Sequence, residues 1–125
     1  MGTAARTALL QAWEGERAAA HLAETSGDAA LEWSHLERAH ILSQPMVGPH
    51  VRTHVWMLRY ALRHHDKAEV RGQLARLLVA APGSLTKKYP VGNTGGANVS
   101  ALAAMPIPED LRGVLEAVTS AASPA

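Results

Sequence analysis

Between Glu37 and His54 the chain reads ERAHILSQPMVGPHVRTH. Pro45 should end one helix, and Pro49 suits the first turn of the next, where its missing N–H costs no hydrogen bond. Because the loop between the two helices is short, they are expected to pack as antiparallel neighbours. The stretch therefore predicts a helical hairpin with a tight corner.

Four side chains beside that corner form a candidate metal site. Glu37 and His40 stand at i and i+3, and His50 and His54 stand at i and i+4, so each pair lies on one side of its helix. The pairs flank the corner and can converge there. Three imidazoles and a carboxylate suit one transition metal ion: zinc, copper, nickel or iron. The competing interpretation is a buried histidine cluster that hydrogen-bonds to Glu37 without an ion.

Hydrophobic periodicity outside the corner predicts an all-α fold in one domain over residues 1–125. Four helices are expected as two antiparallel hairpins, in a four-helix or tetratricopeptide-like arrangement. Their predicted spans are 3–24, 29–43, 49–65 and 67–81. The fourth should end at Pro82 and turn inward its apolar residues Val70, Leu74, Leu77, Leu78 and Ala81.

The chain after the fourth helix has a different composition. Residues 85–108 are rich in Gly, Asn and Pro, which predicts a long irregular segment that turns tightly and hydrogen-bonds across the helices. A short helix should start near Pro108, and residues 120–125 should fray. The VGNTGGANVS run over 91–100 lacks the preceding strand and the Gly-Lys-Ser/Thr ending of a phosphate-binding loop, so a nucleotide role is disfavoured.

Composition narrows the function further. The chain has 125 residues and no cysteine, which excludes disulfides, cysteine-based zinc fingers, thiol nucleophiles and iron–sulfur clusters. A net charge of +1 gives no bulk attraction to nucleic acid or to an anionic membrane. No window approaches the roughly 20 apolar residues of a membrane span. A cytoplasmic protein is therefore expected, and a homodimer is compatible with these features.

Other metal sites fit the sequence less well. A di-iron site needs a second Glu-x-x-His pair on another helix, but Glu32 and His35 lie on the same helix, with Glu32 about 140° round it from Glu37. Met46 and Met57 lie near the corner and would favour Cu(I) as ligands, although packing in the core is the simpler interpretation. A mononuclear site remains the better prediction.

Two alternatives to a metal-binding protein stay open. Arg52, Trp56, Arg59 and Arg63 form a basic face around an aromatic side chain, which would suit the partner surface of a helical adaptor that binds no metal. An enzyme would instead use Glu37 as a base and leave the ion with three histidines and a water. The sequence shows neither a pocket nor an independent base, so it favours a protein that is not an enzyme.

The ordered motifs resemble those of a bacterial family of small helical proteins of unknown function. They are ERAHILxQ over 37–44, HxxxH over 50–54, GQxxR over 72–76, YPxGNTGGxNVS over 89–100 and MPxPxDL over 105–111, and together they span about residues 32 to 111. Members often lie near heavy-metal resistance genes, so the resemblance makes a metal-related role more plausible and directs attention to Glu37, His40, His50 and His54. It implies no established activity.

Overall fold

Five α-helices make up the regular structure in the computed structural model, which describes residues 2–86, 88–100 and 102–122, with side chains in the last helix as far as Val118. The helices are α1 Thr3–Thr25, α2 Ala29–Ser43, α3 Val47–Arg63, α4 Lys67–Thr86 and α5 Glu109–Ala122. These described residues contain no strand, so the prediction of an all-α protein is confirmed. Of the tail predicted to fray, residues 123–125 lie outside the described residues.

The first helix boundaries follow local signals in the sequence. Gly27 adopts a φ of 77° after α1, which a glycine reaches without steric cost. Asp28 then caps α2, because its carboxylate accepts a hydrogen bond of 3.0 Å from the Leu31 N–H. Asp66 caps α4 in the same way through the Glu69 N–H, also at 3.0 Å. Between α2 and α3 only Gln44, Pro45 and Met46 are non-helical, so the predicted corner is short.

Each of the first four helices packs against its neighbour in sequence, α1 on α2, α2 on α3 and α3 on α4, whereas α5 packs on α1. Trp13 of α1 lies at the centre of one core cluster, stacked on Trp56 of α3 with ring centroids 5.0 Å apart. Its indole N–H donates to the Thr53 hydroxyl at 2.9 Å, so this buried polar atom is satisfied. These contacts fix how α3 sits against α1.

Two predictions about α4 were wrong. The helix does not end at Pro82 but continues to Thr86, since a proline within a helix removes one backbone hydrogen bond and the next turn can continue. Nor does the leucine stripe face inward, because Leu74 and Leu78 are 51% and 80% exposed. The buried side of α4 carries mainly polar side chains instead: Glu69, Gln73, Ala80 and Ser84. Gln73 and Ser84 hydrogen-bond to the predicted ligands His54 and His50, and Glu69 accepts a hydrogen bond from Gln73.

The irregular chain after α4 lies against α2 and α4. Gln44 donates to the Pro90 carbonyl at 3.0 Å, and Arg76 donates to the Val99 carbonyl at 2.9 Å. Gly92 has a φ of 78°, and a Cβ there would lie 1.9 Å from the Met105 carbonyl oxygen, so only glycine fits this close approach. None of the helices in the described part of the chain is long and apolar enough to span a membrane.

Candidate metal centre

Three histidines from two helices meet in the interior. His40 comes from α2, and His50 and His54 come from α3. The Nε2 atoms of His40 and His54 are 3.1 Å apart, and both remaining Nε2–Nε2 distances are 3.2 Å. No ring is more than 5% exposed. Three ring nitrogens therefore form a nearly equilateral triangle away from bulk water.

The opposite nitrogen of His40 is held by a backbone carbonyl. His40 Nδ1 lies 2.6 Å from the Asn93 oxygen, and a carbonyl oxygen can only accept, so Nδ1 carries the proton. Asn93 is fixed in turn, since its side-chain amide donates to the Ser100 and Ala103 carbonyls at 2.8 Å each. The His40 ring is consequently locked with its Nε2 lone pair facing the triangle.

His54 is fixed by the side chain of Gln73. His54 Nδ1 lies 2.6 Å from Gln73 Oε1. The Gln73 amide donates to the Gly95 carbonyl at 2.8 Å and to the Glu69 carboxylate at 3.2 Å, and because both partners are acceptors the amide orientation is determined. His54 must then donate from Nδ1, which leaves its Nε2 unprotonated.

His50 is fixed by a hydroxyl. His50 Nδ1 lies 2.7 Å from Ser84 Oγ, and Ser84 donates its own proton to the Gln44 carbonyl at 2.7 Å. Ser84 therefore accepts from His50, whose Nδ1 carries the proton. All three imidazoles share the same neutral tautomer, with unprotonated Nε2 atoms directed at one another.

The surroundings of the three histidines favour the neutral imidazole over the protonated form. Burial lowers the pKa of His50 to about 4, with a smaller contribution from His54. Burial likewise lowers the pKa of His54, and it lowers that of His40 well below the usual value. The neutral imidazole is the form that binds a metal. At pH 7 the three rings are therefore ready to act as ligands.

The spacing of the triangle matches a metal site. In a tetrahedral site with Zn–N of about 2.0–2.1 Å, neighbouring ligand nitrogens lie about 3.3–3.4 Å apart. The observed 3.1–3.2 Å is within a few tenths of an ångström of that value. Each ligand is also oriented by a hydrogen bond from its other nitrogen, as metal-bound histidines almost always are. The three buried histidines could hold a metal ion.

Of the four predicted ligands, the structure brings together His40, His50 and His54 but not Glu37. The group whose ligand atoms all lie within 4.8 Å of one another contains only the three histidines. Glu37 is partly buried, and burial raises its pKa, partly offset by the Thr94 side chain and reinforced by the charge of Glu69. Its carboxylate is therefore outside the group of atoms close enough to share one ion.

Sequence reasoning missed the residues that orient the rings. Gln73, Ser84 and Asn93 lie 19, 34 and 53 residues from their histidines. Their signal was present in part, because Gln73 and Asn93 belong to the GQxxR and YPxGNTGGxNVS motifs. Gly95 was missed as well: with a φ of 85° it approaches His40 so closely that a Cβ would lie 2.6 Å from the ring.

A cavity of about 520 Å³ adjoins the histidine triangle. All three histidines line it, together with Arg76 and with apolar side chains of α4. Three protein ligands leave at least one position free in a four-coordinate site. The cavity is the space in which a further ligand would lie.

The basic face predicted around Trp56 differs from expectation. Trp56 is only partly exposed, because one face of its indole stacks on Trp13. Arg63 pairs with the buried Glu32 and also lies 3.7 Å from Glu24. The aromatic ring and one arginine are therefore engaged in contacts within the chain, whereas Arg52 and Arg59 are exposed.

Fold and site together define a small all-α protein with a buried three-histidine cluster. Residues 7–115 match the family model described as "Protein of unknown function (DUF3703)", and the chain belongs to this family. The family is one of unknown function, as the resemblance implied. No curated protein and no solved structure matches the chain.

Proposed function

We propose that the protein binds one divalent transition metal ion through the Nε2 atoms of His40, His50 and His54. The observation that carries the proposal is the shared tautomer of the three rings. Each Nδ1–H is donated to an acceptor, so three lone pairs converge at 3.1–3.2 Å. Lone pairs at this distance repel one another unless a cation lies between them.

A histidine cluster held only by hydrogen bonds explains the geometry less well. Three short N···N contacts would need protons on Nε2, and the neutral rings have already placed theirs on Nδ1. An additional proton would make one ring an imidazolium, which burial opposes, as the lowered pKa values of all three rings indicate. A bound metal ion satisfies all three lone pairs at once.

The ligand types narrow the choice of ion. Imidazole suits zinc, copper, nickel and iron in their divalent states. Met46 and Met57 are buried in the two apolar core clusters, so we assign them to packing and not to the ion. Without a sulfur ligand, the site has no preference for Cu(I) over the divalent ions.

We infer a role in metal homeostasis or resistance, as a buffer or chaperone in the cytoplasm. Support comes from the incomplete ligand set, because three protein ligands and an adjoining cavity give the ion a route in and out. We also propose that the helices form two antiparallel hairpins, that the protein is of bacterial origin and that it forms a homodimer. An adaptor role centred on Trp56 has less support, since that ring packs on Trp13.

Metal stoichiometry tests the proposal. The metal-free protein, titrated with Zn²⁺ in a calorimeter and analysed for zinc after dialysis, should bind one ion per chain. The His50→Ala/His54→Ala variant should lose it, while His64→Ala/His65→Ala, which removes two exposed histidines at the far end of α3, should keep it. Equal zinc content in the wild type and in a folded His50→Ala/His54→Ala variant would contradict the proposal.

A further inference from the structure

The cavity beside the histidine triangle has an unusual charge balance. Arg76 and Lys88 line it, and no carboxylate of the described residues does. The proposed ion would bring two positive charges, and three neutral imidazoles would compensate none of them. Lys88 is exposed to solvent, but Arg76 is partly buried and the three histidines are buried, and a charge removed from water is stable only when it is paired. The site therefore favours a negative charge, and none of the described residues that line the cavity supplies one.

Arg76 is the clearest sign of that missing charge. Its Nη atoms donate to the Gly72 and Val99 carbonyls at 3.2 and 2.9 Å, but its Nε is buried without a hydrogen-bond partner. Within the described residues no carboxylate forms a salt bridge with it. The guanidinium also lies near enough to lower the pKa of His40 and His54, after the larger effect of burial. A cation so close to a metal ion is favourable only with an anion between them.

The cavity walls indicate what else the anion carries. They are mainly apolar and include Ala75, Val79, Ala80, Pro82 and Leu102. A volume of about 520 Å³ lies in the range of small-molecule sites, which are typically apolar with a few polar groups that fix orientation. A bare inorganic anion would leave these walls in contact with water. An apolar body attached to the anionic group would cover them.

We propose that the cavity binds a small organic monoanion, whose carboxylate binds the metal ion and Arg76 while its apolar body packs against Val79 and Pro82. This inference rests on the proposed metal site. It adds the class of ligand that completes the coordination, and it assigns Arg76 as an anion-binding residue. The protein then holds its ion together with a small carboxylate.

The test uses the protein loaded with Co²⁺, whose visible spectrum reports its ligands. Co²⁺ binding is measured first, in the absence of any carboxylate. Hexanoate is then titrated, with hexanol and hexylammonium as controls of the same chain length and different charge. Hexanoate should change the Co²⁺ spectrum with saturation, and neither control should do so.

Variants separate the anion site from the metal site. Arg76→Gln should weaken hexanoate binding by roughly tenfold or more, the usual effect of losing a charge-assisted hydrogen bond, and Arg76→Lys should restore part of it. Arg71→Gln removes an exposed arginine of the same helix and should have no effect. Val79 is 58% exposed and lines the cavity, so Val79→Trp should block hexanoate while Co²⁺ binding persists.

The outcomes are distinguishable. If Co²⁺ binds at one per chain but hexanoate leaves its spectrum unchanged, the anion site is refuted and the metal site stands. The anion site is refuted as well if hexanol acts like hexanoate, or if folded Arg76→Gln and Val79→Trp variants bind hexanoate as tightly as the wild type. If the wild type does not bind Co²⁺ at all, the metal site and the inference built on it both fall.

Discussion

The Nε2 atoms of His40 and His54 lie 3.1 Å apart although neither carries a proton. Each ring donates its Nδ1–H elsewhere, His40 to the Asn93 carbonyl and His54 to Gln73. The fold thus holds two lone pairs at a distance that they would avoid in water, and His50 adds a third. Such an arrangement favours a cation between the three rings. The groups that accept the Nδ1–H bonds orient the rings and should therefore determine the affinity for the cation.

Removing the acceptor behind His54 should weaken metal binding. Gln73→Ala leaves the buried His54 Nδ1–H without a partner and frees the ring to turn. Loss of such an orienting partner typically lowers metal affinity about 10- to 100-fold. The Zn²⁺ dissociation constant, measured by chelator competition, should rise by that factor, whereas Gln11→Ala on the exposed side of α1 should leave it unchanged. An unaltered constant in a folded Gln73→Ala protein would mean that the ring needs no support.

A methyl group at position 95 should disturb His40. In Gly95→Ala the new Cβ would lie 2.6 Å from two ring carbons, and the φ of 85° is unfavourable for alanine. We expect a loss of about 1–3 kcal/mol in the free energy of unfolding, with weaker Zn²⁺ binding. Gly15→Ala is the matched control, because it lies within α1 with no atom within 4 Å of the new Cβ, and it should stabilise by about 0.5–1 kcal/mol. Equal effects of the two substitutions would contradict this account.

The metal-free protein should lose stability as the pH falls below 6.5. Burial holds the pKa of His50 at about 4 in the folded state, against 6.5 when unfolded. Between pH 6.5 and pH 4 His50 is protonated in the unfolded chain but not in the folded chain. His50 alone therefore lowers the free energy of unfolding by up to about 3 kcal/mol at about pH 4. Urea unfolding at pH 7 and pH 5 should show the loss, and added Zn²⁺ should raise the free energy of unfolding at pH 7.

The Glu37 carboxyl group has the opposite effect on the pH dependence of stability from that of His50. The raised pKa of Glu37, due mainly to burial, makes its contribution grow as the pH falls. Comparison of the wild type with His50→Gln cancels this effect, since Glu37 is present in both proteins. The free energy of unfolding should depend less steeply on pH in His50→Gln than in the wild type. In His21→Gln, which alters an exposed histidine, its pH dependence should be unchanged. If the free energy of unfolding of His50→Gln falls with pH as steeply as that of the wild type, His50 is not the group responsible.

Much of the helical framework could be predicted from the sequence because its signals are local. Gly27 and Asp28 mark the start of α2, and Pro45 marks the corner. The α4 prediction failed for a different reason. Its leucines suggested an inward stripe, yet the buried side carries Gln73 and Ser84, because these side chains support the histidines. Periodicity of apolar residues cannot reveal a helix face that is buried for its hydrogen bonds.

The candidate site was predictable in part. The i, i+4 spacing of His50 and His54 placed both on one side of α3, and the short corner brought His40 to them. The spacing of Glu37 and His40 was equally suggestive, but the Glu37 carboxylate is not among the ligand atoms that lie within 4.8 Å of one another. The acceptors behind the rings come from α4 and from the irregular chain after it. Tertiary packing brings them close, and nothing in the local sequence encodes that proximity.

Anomalous diffraction from crystals of the Zn²⁺-loaded protein would locate the ion relative to the three histidine rings. We expect one strong zinc peak at about 2.0–2.1 Å from the Nε2 atoms of His40, His50 and His54. A zinc ion bound only at the exposed His64 and His65, or contacts made through Nδ1, would contradict it. So would the absence of any peak within the triangle at saturating zinc.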